Sequence, residues 1–173
     1  MNWLLLWVYL LALATWFGET VFFTAVVAPA LFGGLGSEQG GAAVALIFPG
    51  YYAVGYVCGA LLVLTAIALR QRSRPAGQPW LAAAAVAAVI LAACLFAGLV
   101  VLPQADALRP QLHDPAAGAS VRQQFDALHR RAVELNAAVL VGNLALAGFL
   151  AARLRAGIGP GRRLSRYATD PLP

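Results

Sequence analysis

Lysine is absent from this chain, so all twelve of its basic residues are arginine, and only seven acidic residues oppose them. Charged residues of both signs make up 11% of the 173 residues, against 61% hydrophobic and a mean hydropathy of +0.76. So little polar material cannot cover a soluble globule of this size. The chain therefore reads as an integral membrane protein whose first partner is the lipid bilayer. Cysteine is nearly absent too: Cys58 and Cys94 each stand inside an apolar run, which excludes a disulfide framework and zinc-finger spacing. The arginines gather near segment ends without interleaved aromatics, a pattern that fits phospholipid headgroups and leaves no nucleic-acid surface.

What is present is apolar sequence in long runs. A helix needs about 20 residues to cross the hydrocarbon core. Four stretches meet that length, Trp3 to Phe32, Phe48 to Leu69, Trp80 to Leu102 and Ala132 to Ala152. Ala28-Pro29-Ala30 imitates a signal-peptide cleavage site, but the run before it has no basic leader and is too long, so it reads as a retained span. The link from Arg70 to Pro79 and the tail after Ala152 hold eight of the twelve arginines, which by the positive-inside rule puts both termini in the cytoplasm.

The substantial soluble segment runs from Pro103 to Arg131. Within it His113-Asp114-Pro115 and the small residues after it read as a turn and loop. Ser120 with Gln123 three residues on has the pattern of a capping box, and nothing from there to Ala152 breaks a helix. The expected fold is all-α: an integral membrane four-helix bundle over residues 1–156, its fourth helix extended and projecting on the extracytoplasmic side. Residues 157–173, rich in glycine, proline and arginine, are expected to form a flexible basic cytoplasmic tail.

Polar residues inside the spans are few and patterned. Positions 122, 126, 129, 133, 136, 140 and 143 alternate spacings of four and three, so Arg122, Asp126, His129, Asn136 and Asn143 share one helical face. An amide facing lipid has no partner, so the two asparagines should turn into the bundle. A second polar island, Gly18-Glu19-Thr20 followed by Thr24, lies in the first span, where Glu19 must be protonated, paired or hydrated. Starting inside and rising about 1.5 Å per residue, that helix carries Glu19 past the midplane. His129, Asn136 and Tyr51 fall in the same outer half. Tyr51, Tyr52 and Trp80 also suit an aromatic belt, and Pro49 suits a first helical turn.

These residues resemble a family of small bacterial membrane proteins, the domain of unknown function 4149 family, similar to eukaryotic transmembrane protein 205. The likeness runs from about Gly18 to Asn143. It rests on Gly18 with Thr24 and Val26-x-x-Pro29-x-Leu31-Phe32, on Phe48-Pro49-x-Tyr51, and on Phe125-x-x-x-His129 with Asn136 seven residues later. The resemblance implies a four-helix domain of the bacterial inner membrane and no established activity.

The function expected from the residues is an outward-facing polar pocket of Glu19, Thr24, Tyr51, Asp126, His129, Asn136 and Asn143 that binds or helps move a cation or small polar solute. Glu19 and His129 are its candidate metal ligands, with Asp126 able to add an oxygen donor. The alternative is a structural or assembly partner in which the same groups are interhelical glue, worth about 0.6 to 2 kcal/mol each. No serine or cysteine nucleophile stands in a recognisable motif beside Asp126 and His129, so the expectation is no enzyme and no cofactor. A haem between two histidines would need His113, which falls in a loop. Cys58 and Cys94 read as small residues of a close-packed seam with Gly55-x-x-x-Gly59 and Ala138-x-x-x-Gly142. Four spans make a small bundle, so a homo-oligomer is kept as a further partner.

Overall fold

A computed structural model describes residues 2–72, 78–112 and 118–158, and among them every element is helical. Helix α1, Asn2–Phe22, continues through one π-helical turn, Phe23–Val27, into α2, Ala28–Arg72. Helix α3, Gln78–Phe96, continues through a second π-helical turn, Ala97–Val101, into α4, Leu102–Leu112; α5 is Ala119–Ile158. Three stretches are long and apolar enough to cross a membrane, Trp3–Arg72, Pro79–Leu112 and Ala119–Arg155. In hydrocarbon the backbone must satisfy its own hydrogen bonds, and continuous helix is the way these sequences do it.

The first stretch doubles back on itself. Helix α2 is interrupted at Gly36, whose φ of 76° lies in the left-handed region that favours glycine. Beyond the break the chain returns so closely that a Cβ on Gly40 would lie 3.0 Å from the Leu31 carbonyl oxygen. The rings of Phe23 and Phe48 then meet at 5.3 Å. Residues 28–35 thus prolong α1, and residues 37–72 run back along it.

Proline positions explain the π-helical turns. The ring of a helical proline crowds the carbonyl four residues earlier. For Pro29 that residue is Ala25, and for Pro103 it is Leu99, the central residues of the two π-helical turns. Widening the helix relieves the clash: the Ala28 N–H bonds to the Phe23 carbonyl and the Leu102 N–H to the Ala97 carbonyl, each five residues back. The sequence suits Pro49 to a first helical turn and Pro103 to the close of the third span. Instead Pro49 lies well inside α2, and Pro103 is carried through into α4. Helix α5 begins at Ala119, so Ser120 stands within its first turn, and it runs unbroken as its sequence suggested. The turn at His113-Asp114-Pro115 and the tail from residue 159 lie outside the described residues.

Around the bundle, α2 packs on α1 and α3, while α5 packs on α1, α3 and α4. Inward faces recur every three or four residues: Tyr9, Ala12, Leu13, Trp16 and Thr20 on α1 with Phe23 opening the π-helical turn after it, and Val139, Asn143, Leu146 and Leu150 on α5. Lipid tails are as apolar as leucine, so contact between helices must come from close packing. The seam supplies it. A Cβ on Gly55 would lie 2.8 Å from Cys94 Sγ and 3.1 Å from Trp16 Nε1; one on Gly59 would meet Leu91 at 2.8 Å and Trp16 at 3.1 Å. Outside the seam, Arg109 ties three elements together. It pairs with Asp106 at 2.9 Å, donates to the Gly41 carbonyl at 2.8 Å and lies 5.8 Å from the centre of the Phe125 ring.

Overpacking the seam should cost about 1 to 3 kcal/mol. Gly55→Val is expected to lower the thermal unfolding temperature in detergent. Gly148→Ala, where a Cβ meets nothing within 4 Å, is expected to leave it unchanged or raise it. Equal losses in the two variants would mean that the seam is not the contact holding α1, α2 and α3 together.

Candidate functional site

Four of the residues singled out in the sequence point inward. Tyr51 is buried on α2, and its hydroxyl donates to Asn136 Oδ1 on α5 at 3.3 Å. That bond crosses the diagonal of the bundle, since neither helix packs closely along the other. Glu19 on α1 is half-buried, with Oε2 sealed from solvent and lacking a hydrogen-bond partner. Its carboxylate lies close enough to act electrostatically on Tyr51, Cys58 and Cys94. Asn143 is 0% exposed, and both Nδ2 and Oδ1 are unpartnered.

The other three point away. Thr24, Asp126 and His129 are exposed. Phe23 takes the inward position above Thr20, its ring 5.1 Å from Tyr51, and consecutive helical residues face different ways, so Thr24 turns to the perimeter. The threonine of the interior is Thr20, 1% exposed, which donates to the Trp16 carbonyl at 2.9 Å and neighbours Tyr51. Spacing held the signal for it: Thr20 is four residues beyond Trp16 and three before Phe23, on the face that carries the aromatic rings. On α5 the seven-residue stripe divides. Arg122, Asp126, His129 and Val133 are exposed, Asn136 and Leu140 partly buried, and Asn143 enclosed. Glu19 and His129 therefore occupy different surroundings, interior and perimeter. Among the described residues no three His, Cys, Asp or Glu side chains gather as a metal-binding group.

Aromatic rings roof the cluster. Phe48 stacks near Phe23, Tyr51 and Tyr52 at 5.3, 6.0 and 5.6 Å, and Gly98 on the second π-helical turn admits Tyr52 and Tyr56 against its backbone. Both π-helical turns thus stand at the level of Tyr51, one after Glu19 and Thr20 and the other after Cys94. Such turns recur at functional sites because they re-aim side chains without breaking the helix.

Residues 11–114 match the family described as Domain of unknown function (DUF4149), more than half of the chain. The chain belongs to this family. The matched region holds Glu19, Thr20, Tyr51 and both cysteines, and ends before α5, so Asn136 and Asn143 lie beyond it. No curated protein and no solved structure matches the chain. The DUF4149 region accordingly supplies the carboxylate and phenol of the cluster, and α5 supplies the amide of Asn136.

In a low-dielectric interior the Tyr51–Asn136 hydrogen bond is expected to contribute about 1 kcal/mol. Tyr51→Phe and Asn136→Leu should each lower thermal stability in detergent. The double variant should lose less than the sum, by a coupling of about 0.5 to 1.5 kcal/mol. Strict additivity of the two losses would show that the bond is not formed.

Proposed function

We propose that this DUF4149 protein is a four-span module of the bacterial inner membrane that binds a cation or small polar solute in its outer half. In this reading the reversal at Gly36 makes two crossings of the first apolar stretch, and α3 and α5 make the others. Arg70 and Arg72 at the end of α2 and Arg153 and Arg155 near the end of α5 then share the cytoplasmic side with both termini. Helix α5 starts outside the membrane, where Asp126 and His129 on its exposed face stand at the approach to the site.

One observation carries the binding role: a carboxylate oxygen sealed inside the bundle without a partner, beside a phenol and an amide already bonded to each other. Buried charge in a membrane protein is costly and is kept where it does work. Glu19 supplies the charge, the bonded Tyr51–Asn136 pair stands beside it, and Thr20 neighbours Tyr51. Cys58 and Cys94 stand within electrostatic reach of Glu19 but in no recognisable nucleophile motif, and the role proposed is binding or passage rather than catalysis.

The alternative, a structural or assembly partner, draws on the Tyr51–Asn136 bond itself, which is glue of the kind membrane helices use. Thermal unfolding of purified protein separates the two across sodium, potassium, magnesium, calcium, manganese and zinc chlorides. A bound ion at 100 times its Kd stabilises by about 2.7 kcal/mol. Binding at the site predicts a rise with one of these salts that Glu19→Gln abolishes and Thr24→Val preserves. A wild-type curve indifferent to every salt, or a rise that survives Glu19→Gln, leaves glue as the reading.

A further inference from the structure

Among the described residues, four buried side-chain oxygen or nitrogen atoms have no hydrogen-bond partner: Tyr9 Oη, Glu19 Oε2, and Asn143 Nδ2 and Oδ1. All four sit on α1 and α5, two helices that pack against each other, and Tyr9 and Asn143 are both 0% exposed. Buried polar atoms are nearly always satisfied, by protein or by enclosed water, and an unpaired amide inside a bilayer is expensive. Three such residues on adjoining inward faces are a pattern.

Their depths form a series. Tyr51 bonds to Asn136 and feels the charge of Glu19, so these three share a level. Asn143 is seven residues further along α5, about 10 Å inward at 1.5 Å per residue. The Tyr9 ring lies 5.7 Å from Trp80, and Trp80 lies 5.4 Å from Phe149, which places Tyr9 near the level of Phe149. Along α1 itself Tyr9 is ten residues from Glu19, about 15 Å. The three stations therefore cover about 15 Å of a hydrocarbon core about 30 Å thick, with Asn143 between the two ends. Tyr9 is two turns from the start of α1, and Glu19 is half-buried with one carboxylate oxygen sealed.

We propose that the bundle interior passes protons across the membrane, along water molecules held in file by Glu19, Asn143 and the Tyr9 hydroxyl. The proposal deepens the reading of the Glu19 site by naming the proton as its cargo, and rests on that reading. A proton from the outer side adds to the Glu19 carboxylate. The resulting O–H bond breaks as its proton moves to the first water, and each water accepts one proton and gives up another, so no bond is gained or lost overall. Asn143 does not titrate; its amide accepts from one water and donates to the next. Tyr9 passes a proton by donating its own while accepting another. The titratable groups within electrostatic reach of Glu19 are Tyr51 and Cys58 from α2 and Cys94 from α3, and Asn136 of α5 is bonded to Tyr51. Close packing favours this cargo. Cys94 and Trp16 fill the notch at Gly55, Leu91 and Trp16 that at Gly59, and Ile90 that at Gly142, so the helices close tightly at these points, and a proton needs only single water molecules between them.

The full chain, reconstituted in liposomes of phosphatidylethanolamine and phosphatidylglycerol with an entrapped pH-sensitive dye, is given a potassium gradient and valinomycin to drive protons inward. Wild type is expected to acidify the lumen at least ten-fold faster than empty liposomes. Asn143→Leu and Tyr9→Phe should each cut that rate at least ten-fold. Both variants keep the shape of the side chain, and folding is checked by thermal unfolding in the same lipid. Glu19→Gln should lose both proton flux and any salt-dependent rise in unfolding temperature, whereas Asn143→Leu and Tyr9→Phe keep the latter. A wild-type rate equal to that of empty liposomes, or folded Asn143→Leu and Tyr9→Phe proteins that conduct as wild type does, overturns the proton route and leaves the outer binding site to be judged by the salt titration.

Discussion

Hydrocarbon neither donates nor accepts a hydrogen bond, and each feature of this protein is an answer to that restriction. The backbone answers with helix, even across prolines. Where Pro29 and Pro103 would crowd a carbonyl, the chain widens into a π-helical turn and keeps bonding five residues back instead of opening a loop to lipid. Side chains answer at three levels. Thr20 and Thr65 satisfy themselves locally, donating to the carbonyls of Trp16 and Leu61 on their own helices. Tyr51 and Asn136 satisfy each other across the bundle. Glu19, Asn143 and Tyr9 keep atoms without a protein partner, and it is this last group that distinguishes the interior from a merely cohesive one.

The two π-helical turns connect that restriction to the site. Both fall on helices that run in the same direction, α1 and α3, and both lie at the depth of Tyr51. Each shifts the register of the helix beyond it relative to the helix before it, so the residues beneath the turn, Glu19 and Thr20 on one side and Cys94 on the other, can face the interior while the residues above it follow a different stripe. A regular helix would have to compromise between the two. The backbone therefore lets the aromatic roof of Phe23, Phe48 and Tyr52 close over the polar cluster without pulling the cluster out of line.

Much of the fold was legible because lipid makes composition decisive: few charges, long apolar runs and arginines at their ends leave little besides membrane helices. The Gly55 and Gly59 seam was legible for a similar reason, since small residues at helical spacing in a span have few other uses. The site was half legible. Alternating spacings of four and three correctly put Asp126, His129, Asn136 and Asn143 on one face of α5, but periodicity says which residues share a face and not how far the neighbouring helices extend. Helix α5 has 40 residues, and the same face is open at His129 and enclosed at Asn143. Thr24 was chosen over Thr20 because nothing local in the sequence tells which of two threonines one turn apart will face inward. The rings of Phe48 and Tyr51, more than twenty residues away, settle it by claiming Phe23. The break at Gly36 was likewise hidden, since three glycines stand within four residues and only the folded chain distinguishes the one at positive φ.

Close packing and unpaired polar atoms pull in opposite directions, and their coexistence is informative. Trp16 and Cys94 press on Gly55, Leu91 presses on Gly59, and Ile90 fills the notch at Gly142, directly beside Asn143 in sequence. A core able to fit side chains this tightly could have fitted leucine at position 143; an apolar group of similar shape would cost nothing in lost hydrogen bonds and spare the desolvation of an amide. The asparagine is therefore not explained by cohesion alone, because cohesion is already supplied around it. Its amide makes physical sense where something polar and very small shares the interior with it, and the same reasoning applies to a phenol at position 9 where phenylalanine would pack against Trp80 equally well. The tightness of the seam then sets the upper size of whatever that companion is, and the spacing of Glu19, Asn143 and Tyr9 sets how many are needed to join them.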